Sequence, residues 1–262
     1  MAARSMWKGE LKVGSTTVPV KLYAAVEDRT VRFNVLQKGT KSRVKQQITT
    51  EDKRPIEKQQ IRKGYEIEPG TFVIVEPDEL QDLEPMESRT VTFLRFVPVT
   101  AVGPEWYERP YYLAPDGDTG KYFALAEALD KRNVLGIARW TMRGKSYVGA
   151  LKAEDDYLVL NKLRYAEEVL SAHELPAPEG RPLEQKELRM AEELVSVLEG
   201  DFKPEQFKDE YRERVMKFVQ AKAKGKHPRL AAVKERRTEG SLDEALAKSL
   251  AAMKRRMEKK VA

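Results

Sequence analysis

Hydrophobic and polar positions alternate with a period of two through most of the first 160 residues, and turn residues interrupt the alternation at short intervals. Glu10 to Val13 runs into Gly14-Ser15 and is followed by Val18 to Ala25, and Val31, Phe33 and Val35 continue the pattern. Thr71 to Val75 is a short β-branched apolar run, and Arg89 to Val97 alternates until Pro98 ends it. Further strands are expected at Tyr107 to Leu113, Val134 to Met142, Tyr147 to Leu151 and Tyr157 to Leu160, with one short helix over Tyr122 to Asp130. Strands this numerous, without βαβ alternation, favour a closed or nearly closed antiparallel barrel in a mixed, mainly β fold.

Two stretches break the pattern. Between Gln37 and Tyr65 apolar residues are few and Lys, Arg and Gln many, so the segment contributes little core. Val44, Gln46 and Ile48 still alternate with Lys45, Gln47 and Thr49, which fits an extended hairpin or strap standing off the body; disorder is the alternative. After Ala177 the run LPAPEGRP reads as a linker, and the chain beyond it is helical in pattern. Leu188, Ala191, Leu194, Val195 and Leu198 form one apolar stripe, with Gly200 expected as its C-terminal cap. A second helix is expected from Pro204, carrying Phe207, Tyr211, Val215 and Phe218 until Gly225. Ser241 with Glu244 forms a capping box for a last amphipathic helix bearing Leu242, Leu246, Leu250 and Met253.

Composition narrows the function. The 262 residues include no cysteine and only two histidines, which removes disulfides, thiolate chemistry and Cys-ligated metals and leaves little for a His-based site. No apolar run of membrane-spanning length occurs, and MAARSMWKGELK has no apolar signal region, so a cytoplasmic protein is expected, associated with the nucleoid if it binds DNA. The net charge of +6 is unevenly spread. Residues 1–65 hold 15 basic and 6 acidic groups, residues 66–211 hold 17 and 30, and residues 212–262 hold 16 and 6. Two basic ends around an acidic middle indicate that particular surfaces meet a polyanion, nucleic acid first among them, with membranes and partner proteins as alternatives.

Site chemistry is sparse. Gly117-Asp118-Thr119-Gly120-Lys121 resembles a phosphate loop, but Pro115 replaces its first glycine and Tyr122 its Ser or Thr, so it reads as a helix-capping turn. Glu154, Asp155 and Asp156 read as a turn between strands, and His173 and His227 as structural. Trp106, Tyr107, Tyr111 and Tyr112, with Trp7 and Trp140, are assigned to packing. No catalytic, metal or cofactor site is expected, except that Lys8 or Lys12 could support a weak abasic-site lyase side reaction through a Schiff base. The informative element is the strap, where Arg32, Lys38, Lys41, Arg43, Lys45, Lys53, Arg54, Lys58, Arg62 and Lys63 supply cations with almost no base-reading partners. Such a surface holds phosphate without reading sequence.

The residues also resemble a known family. WKGELKVG and VPVKLYAA between Trp7 and Ala25, KGYE at Lys63 to Glu66, VEPDEL at Val75 to Leu80, RPYYLAPD at Arg109 to Asp116 and LGIAR at Leu135 to Arg139 are similar to bacterial Ku, the DNA-end-binding family of non-homologous end joining. The likeness continues through ELRMA at Glu187 to Ala191 and DFKPEQFKDEY at Asp201 to Tyr211. It implies a β-barrel core over residues 1–202 that includes a DNA bridge at 37–65, a helical arm at 203–226 and a basic tail at 227–262. It further implies a homodimeric ring that threads onto double-stranded DNA ends without sequence specificity, protects them and recruits a multifunctional DNA repair ligase. The ten strap residues become candidate phosphate contacts, the helices 183–198 and 204–224 the dimerisation arm, and Leu242, Leu246, Leu250 and Met253 candidate ligase contacts. A β-barrel scaffold that binds nucleic acid or partners without end selectivity is the alternative.

Overall fold

The computed structural model describes residues 4–225 except 87, 156, 178 and 181–183, together with 247, 249 and 251. The chain divides into one compact unit of residues 1–29 with 33–174 and another of 30–32 with 175–262.

The first unit is built on a barrel. Its strands are β1 (Trp7–Val13), β2 (Thr16–Ala24), β5 (Thr90–Pro98), β6 (Tyr107–Pro115), β7 (Val134–Met142), β8 (Lys145–Glu154) and β9 (Tyr157–Leu163), closed in the order β1-β2-β6-β9-β8-β7-β5. Two further strands, β3 (Lys63–Glu68) and β4 (Thr71–Val75), form a separate hairpin. The seven barrel strands are those the alternation marks. Val31 to Val35, by contrast, forms no strand, because alternation without a partner of matching length leaves only an isolated bridge at Leu36 and Arg43. All barrel neighbours pair antiparallel except β1 with β5, which run parallel with Glu10 opposite Thr90.

Inward positions follow the pleat. Val18, Val20 and Leu22 of β2 are buried while Pro19 and Lys21 between them are not, and the buried three meet Leu11, Leu113, Leu158 and Leu160 in one core cluster. Each such leucine contributes about 1.5–3 kcal/mol by leaving water. On the outside, Asp116 receives Lys21 at 2.6 Å and Lys8 at 3.4 Å, tying β1, β2 and the end of β6. The hydrogen bond from the Lys21 ammonium holds the Asp116 carboxyl below the usual carboxylate range.

Helix α1 (Pro77–Asp82) carries a reciprocal capping box between Glu76 and Glu79, and α2 (Thr119–Arg132) lies against β8, β7 and β2. As the sequence suggests, the Gly117–Lys121 turn caps α2. The Asp118 side chain accepts from the Gly120 and Lys121 N–H groups, and no phosphate loop forms. From α2, fully buried Tyr122 enters the core, where its hydroxyl donates to the Leu113 carbonyl at 2.5 Å and accepts the Leu158 N–H at 2.7 Å. Leu113 and Leu158 are partners across β6 and β9, so the phenol satisfies two backbone groups that have no access to water.

In the second unit, α3 (Gln185–Leu198) opens with a Glu184/Glu187 capping box and α4 (Glu210–Ala223) with Asp209, whose side chain accepts the Arg212 N–H at 2.8 Å. Two boundaries differ from expectation. Gly200 is not the left-handed cap of α3, which ends on extended Glu199, and Pro204 starts only a short 3-10 turn before α4. Phe202 and Phe207 stack at 5.5 Å across that turn.

Tyr122→Phe removes the shared hydroxyl and strands a buried carbonyl and N–H. The expected loss is about 1–3 kcal/mol in denaturant unfolding, with an unchanged m-value. Burial also raises the Tyr122 phenol above its usual 10.0. Its contribution is therefore complete below about pH 10 and is lost as pH rises toward the folded-state value. Stability measured across the alkaline range should fall less steeply in the Phe variant.

Candidate nucleic-acid interface

The strap is the connection between β2 and β5, and the barrel's strand directions determine where it begins and ends. Because β2 is antiparallel to β1 and β5 is parallel to it, Ala24 and Thr90 both lie at the rim where β1 starts. The chain leaves and rejoins the barrel on the same rim.

Local hydrogen bonds shape the strap. Gln37 N–H donates to the Ser42 carbonyl at 2.9 Å and Val44 N–H to the Val35 carbonyl at 3.1 Å, closing one tight turn; Thr40 donates its hydroxyl to the Gln37 side chain. A second turn closes through Thr50 N–H to the Arg54 carbonyl at 2.9 Å and Ile56 N–H to the Ile48 carbonyl at 3.0 Å, with the Thr50 hydroxyl accepting the Arg54 N–H. The segment between the turns pairs backward with the first arm and forward with the last, so the strap is a three-armed meander rather than one hairpin. Every described residue from 32 to 55 is exposed, and the described residues of the strap show no buried side chain.

Lys41 and Lys53 sit in these turns at φ 57° and 62°. A lysine there has its Cβ crowded by its own backbone, where Gly or Asn would be at ease. Lys38 shares the first turn, Arg43 faces Leu36 in an isolated bridge, Lys45 follows it, Arg54 closes the second turn and Lys58 opens a 3-10 turn. These seven, with Lys63 at the start of β3, are exposed and have no carboxylate within 4 Å among the described residues.

Two of the ten expected cations are placed differently. The Arg62 guanidinium is held by Glu76 at 2.7 Å and by the Gln59 carbonyl at 2.6 Å, which pins the end of the strap to the end of β4. Arg32 groups with the helical unit rather than with the strap. Leu242, Leu246, Leu250 and Met253 lie outside the described residues. The aromatic residues sort as packing: Tyr111 and Trp140 are buried, Trp106 and Tyr107 line a second small core cluster, and Tyr112 leans on Tyr157 at 5.9 Å.

Sequence reading missed the β3–β4 hairpin partner strand and what it displays. Tyr65, Ile67, Phe72 and Ile74 are each more than half exposed, on a hairpin turned by Pro69-Gly70 with Gly70 at φ 82°. It also missed cations that only the barrel brings together. Arg4, Arg89 and Arg143 come from three separate stretches of chain and line hollows at the strap-bearing rim, where they join Lys8.

Comparison with known proteins agrees with the resemblance. Residues 12–190 match the family described as the Ku70/Ku80 beta-barrel domain. Non-homologous end joining protein Ku 2 of Geotalea uraniireducens is 38% identical over 226 residues, covering 86% of this chain and 88% of its own. Non-homologous end joining protein Ku of Solibacter usitatus is 35% identical over 261 residues, covering 98% and 97%, and that of Anaeromyxobacter sp. is 36% identical over 259 residues, covering 97% and 87%.

If Lys41 and Lys53 are retained for their charge, Lys41→Asn with Lys53→Asn should leave thermal stability equal or higher, since Asn suits both turns. Duplex DNA affinity should fall, and the slope of log K against log salt should shrink by about 2, near 0.9 for each phosphate no longer neutralised. Fluorescence anisotropy across a salt series reads both quantities.

Proposed function

This chain belongs to the Ku family, and on that premise we propose that it binds double-stranded DNA ends in non-homologous end joining, acting without catalysis. The observation that carries the reading is the strap. A covalent arch anchored on one rim of a closed barrel presents eight exposed cations that have no carboxylate partner among the described residues, which suits a phosphate backbone that must be held but not read. The names of the relatives, all non-homologous end joining proteins Ku, support the same role.

The finer parts of the proposal rest on surfaces left uncovered. Two copies would close their arches into a ring, so that duplex is admitted only where it ends and topology replaces sequence readout. Exposed apolar surface supports a homodimer: Tyr65, Phe72 and Ile74 on the β3–β4 hairpin in one unit, and Val195, Leu198 and Tyr211 on α3 and α4 in the other. The ring would protect ends in the cytoplasm at the nucleoid and recruit the multifunctional DNA repair ligase through Leu242, Leu246, Leu250 and Met253 in the basic tail. Lys8, considered for Schiff-base chemistry, has its ammonium 3.4 Å from Asp116, the arrangement of an ion pair rather than of a free amine nucleophile.

A competition assay tests threading. Labelled short duplex is bound, then challenged with equal masses of free-ended duplex, covalently closed circle, and duplex blocked at both ends by streptavidin. Only the free-ended competitor should displace the label, and light scattering at micromolar concentration should give twice the chain mass. Equal displacement by the closed circle would replace end binding with ordinary backbone binding, and a monomer would remove the ring.

A further inference from the structure

Where the strap meets the barrel, the rim is hollow. A recess of about 170 Å³ is lined by Met6 and Trp7 at the start of β1, Ser88 and Arg89 before β5, and Met142 and Arg143 at the end of β7. A wider, shallower hollow of about 460 Å³ adjoins it, adding Arg4, Ser5 and Lys8. The barrel register assembles the recess from distant stretches of chain. Glu10 N–H donates to the Arg89 carbonyl at 2.9 Å, and Thr92 stands opposite Arg139, which brings the 89 and 143 positions beside Trp7.

Its chemistry is divided into a cationic and an apolar half. Among the described residues, Arg4, Arg89 and Arg143 have no carboxylate within 4 Å. Of the nearby carboxylates, Asp116 is taken by Lys21 and Lys8, Glu10 accepts the Thr90 hydroxyl, and Glu84 lies against Gly144, the residue after Arg143. Like charges gathered in a concavity repel one another unless an anion occupies it. Arg143 is also kept against local preference. It sits at φ 55° before Gly144 at φ 69°, in a two-residue hairpin turn where Asn-Gly is the favoured pair. The other half of the recess is the indole of Trp7, lying across Gly9, flanked by two thioethers.

We propose that this recess receives the terminal nucleotide of a DNA end, with the arginines on its phosphate monoester and Trp7 against its exposed base. The inference rests on the end-binding reading above and adds to it a preference among ends. Within a duplex every base face is stacked on a neighbour, so an indole has nothing to contact; the last base has one free face. A phosphate within the backbone carries one charge, whereas a terminal monoester carries about −1.5 to −2 and three acceptor oxygens, a better match for several guanidinium groups. Phosphate and aromatic wall in one recess therefore describe a chain terminus rather than a stretch of backbone.

The test compares three linear 20-base-pair duplexes, bearing 5′-phosphate, 3′-phosphate or hydroxyl at all ends, bound to the full chain in about 150 mM salt. One phosphorylated form should bind about fivefold more tightly than the hydroxyl form, as expected for a few charge-assisted hydrogen bonds in a partly solvated site. In Arg89→Ala with Arg143→Asn the ratio of affinities between the phosphorylated and hydroxyl duplexes should fall to about one, while the Asn suits the turn, so the fold is retained. Trp7→Leu should weaken the preference without abolishing it. Equal affinity of the unaltered chain for all three duplexes overturns the proposal, as does an arginine variant that weakens all three alike, which would make these residues ordinary backbone contacts. Failure to bind any duplex would instead sink the end-binding reading itself.

Discussion

The parallel pairing of β1 with β5 is the constraint on which the rest of the molecule depends. Six of the seven strand pairings around the barrel are antiparallel, and three of them, β1–β2, β7–β8 and β8–β9, join consecutive strands through short turns. The seventh closes the barrel, and a parallel partner cannot be reached by a hairpin. The connection must start and finish at the same end, and here it is long enough to hold two tight turns, a hairpin and a short helix. Closure of the core and presentation of the arch are therefore one topological fact. Anything that weakens the Glu10 to Thr90 register also moves the roots of the strap.

The strap itself has almost no hydrophobic support. Its shape comes from backbone hydrogen bonds across two turns, a few Thr and Gln side chains, and the Arg62–Glu76 pair at its end. Exposed ion pairs of this kind contribute little stability, so Arg62 is better understood as fixing a direction than as holding the fold together. A segment with so few buried contacts keeps its side chains available, at the expense of rigidity in the free chain. The apolar residues of the β3–β4 hairpin reinforce the point, since Tyr65, Phe72 and Ile74 have no cover within this unit.

Legibility of the structure in the sequence followed physical range. Barrel strands such as Thr16–Ala24 could be read because burial of one face writes a period of two into the residues themselves. The Asp118 cap was readable for the same local reason, being a side chain satisfying amides two and three positions away. Lys63 to Glu68 was missed because its charged and aromatic residues are exposed on both faces, which erases the alternation. Helix α1 was missed although Glu76, Pro77 and Glu79 spell a capping box, because six residues are too few to show a period. At the site, the strap cations could be counted but their partners could not: Arg62 and Lys58 look alike in sequence, and only the fold gives Arg62 a carboxylate. The rim arginines left no sequence trace, since residues 4, 89 and 143 become neighbours only when the barrel closes.

Because both feet of the arch stand on strands held on both sides within the barrel, β2 between β1 and β6, and β5 between β1 and β7, the arch can be severed without being released. A single backbone cut at the second turn, between Lys53 and Arg54, would leave two fragments that remain seated in the barrel and keep every cation. Such a nicked molecule separates attraction from enclosure: it still carries the charge that draws DNA but has lost the continuous chain that would keep it from lifting off sideways.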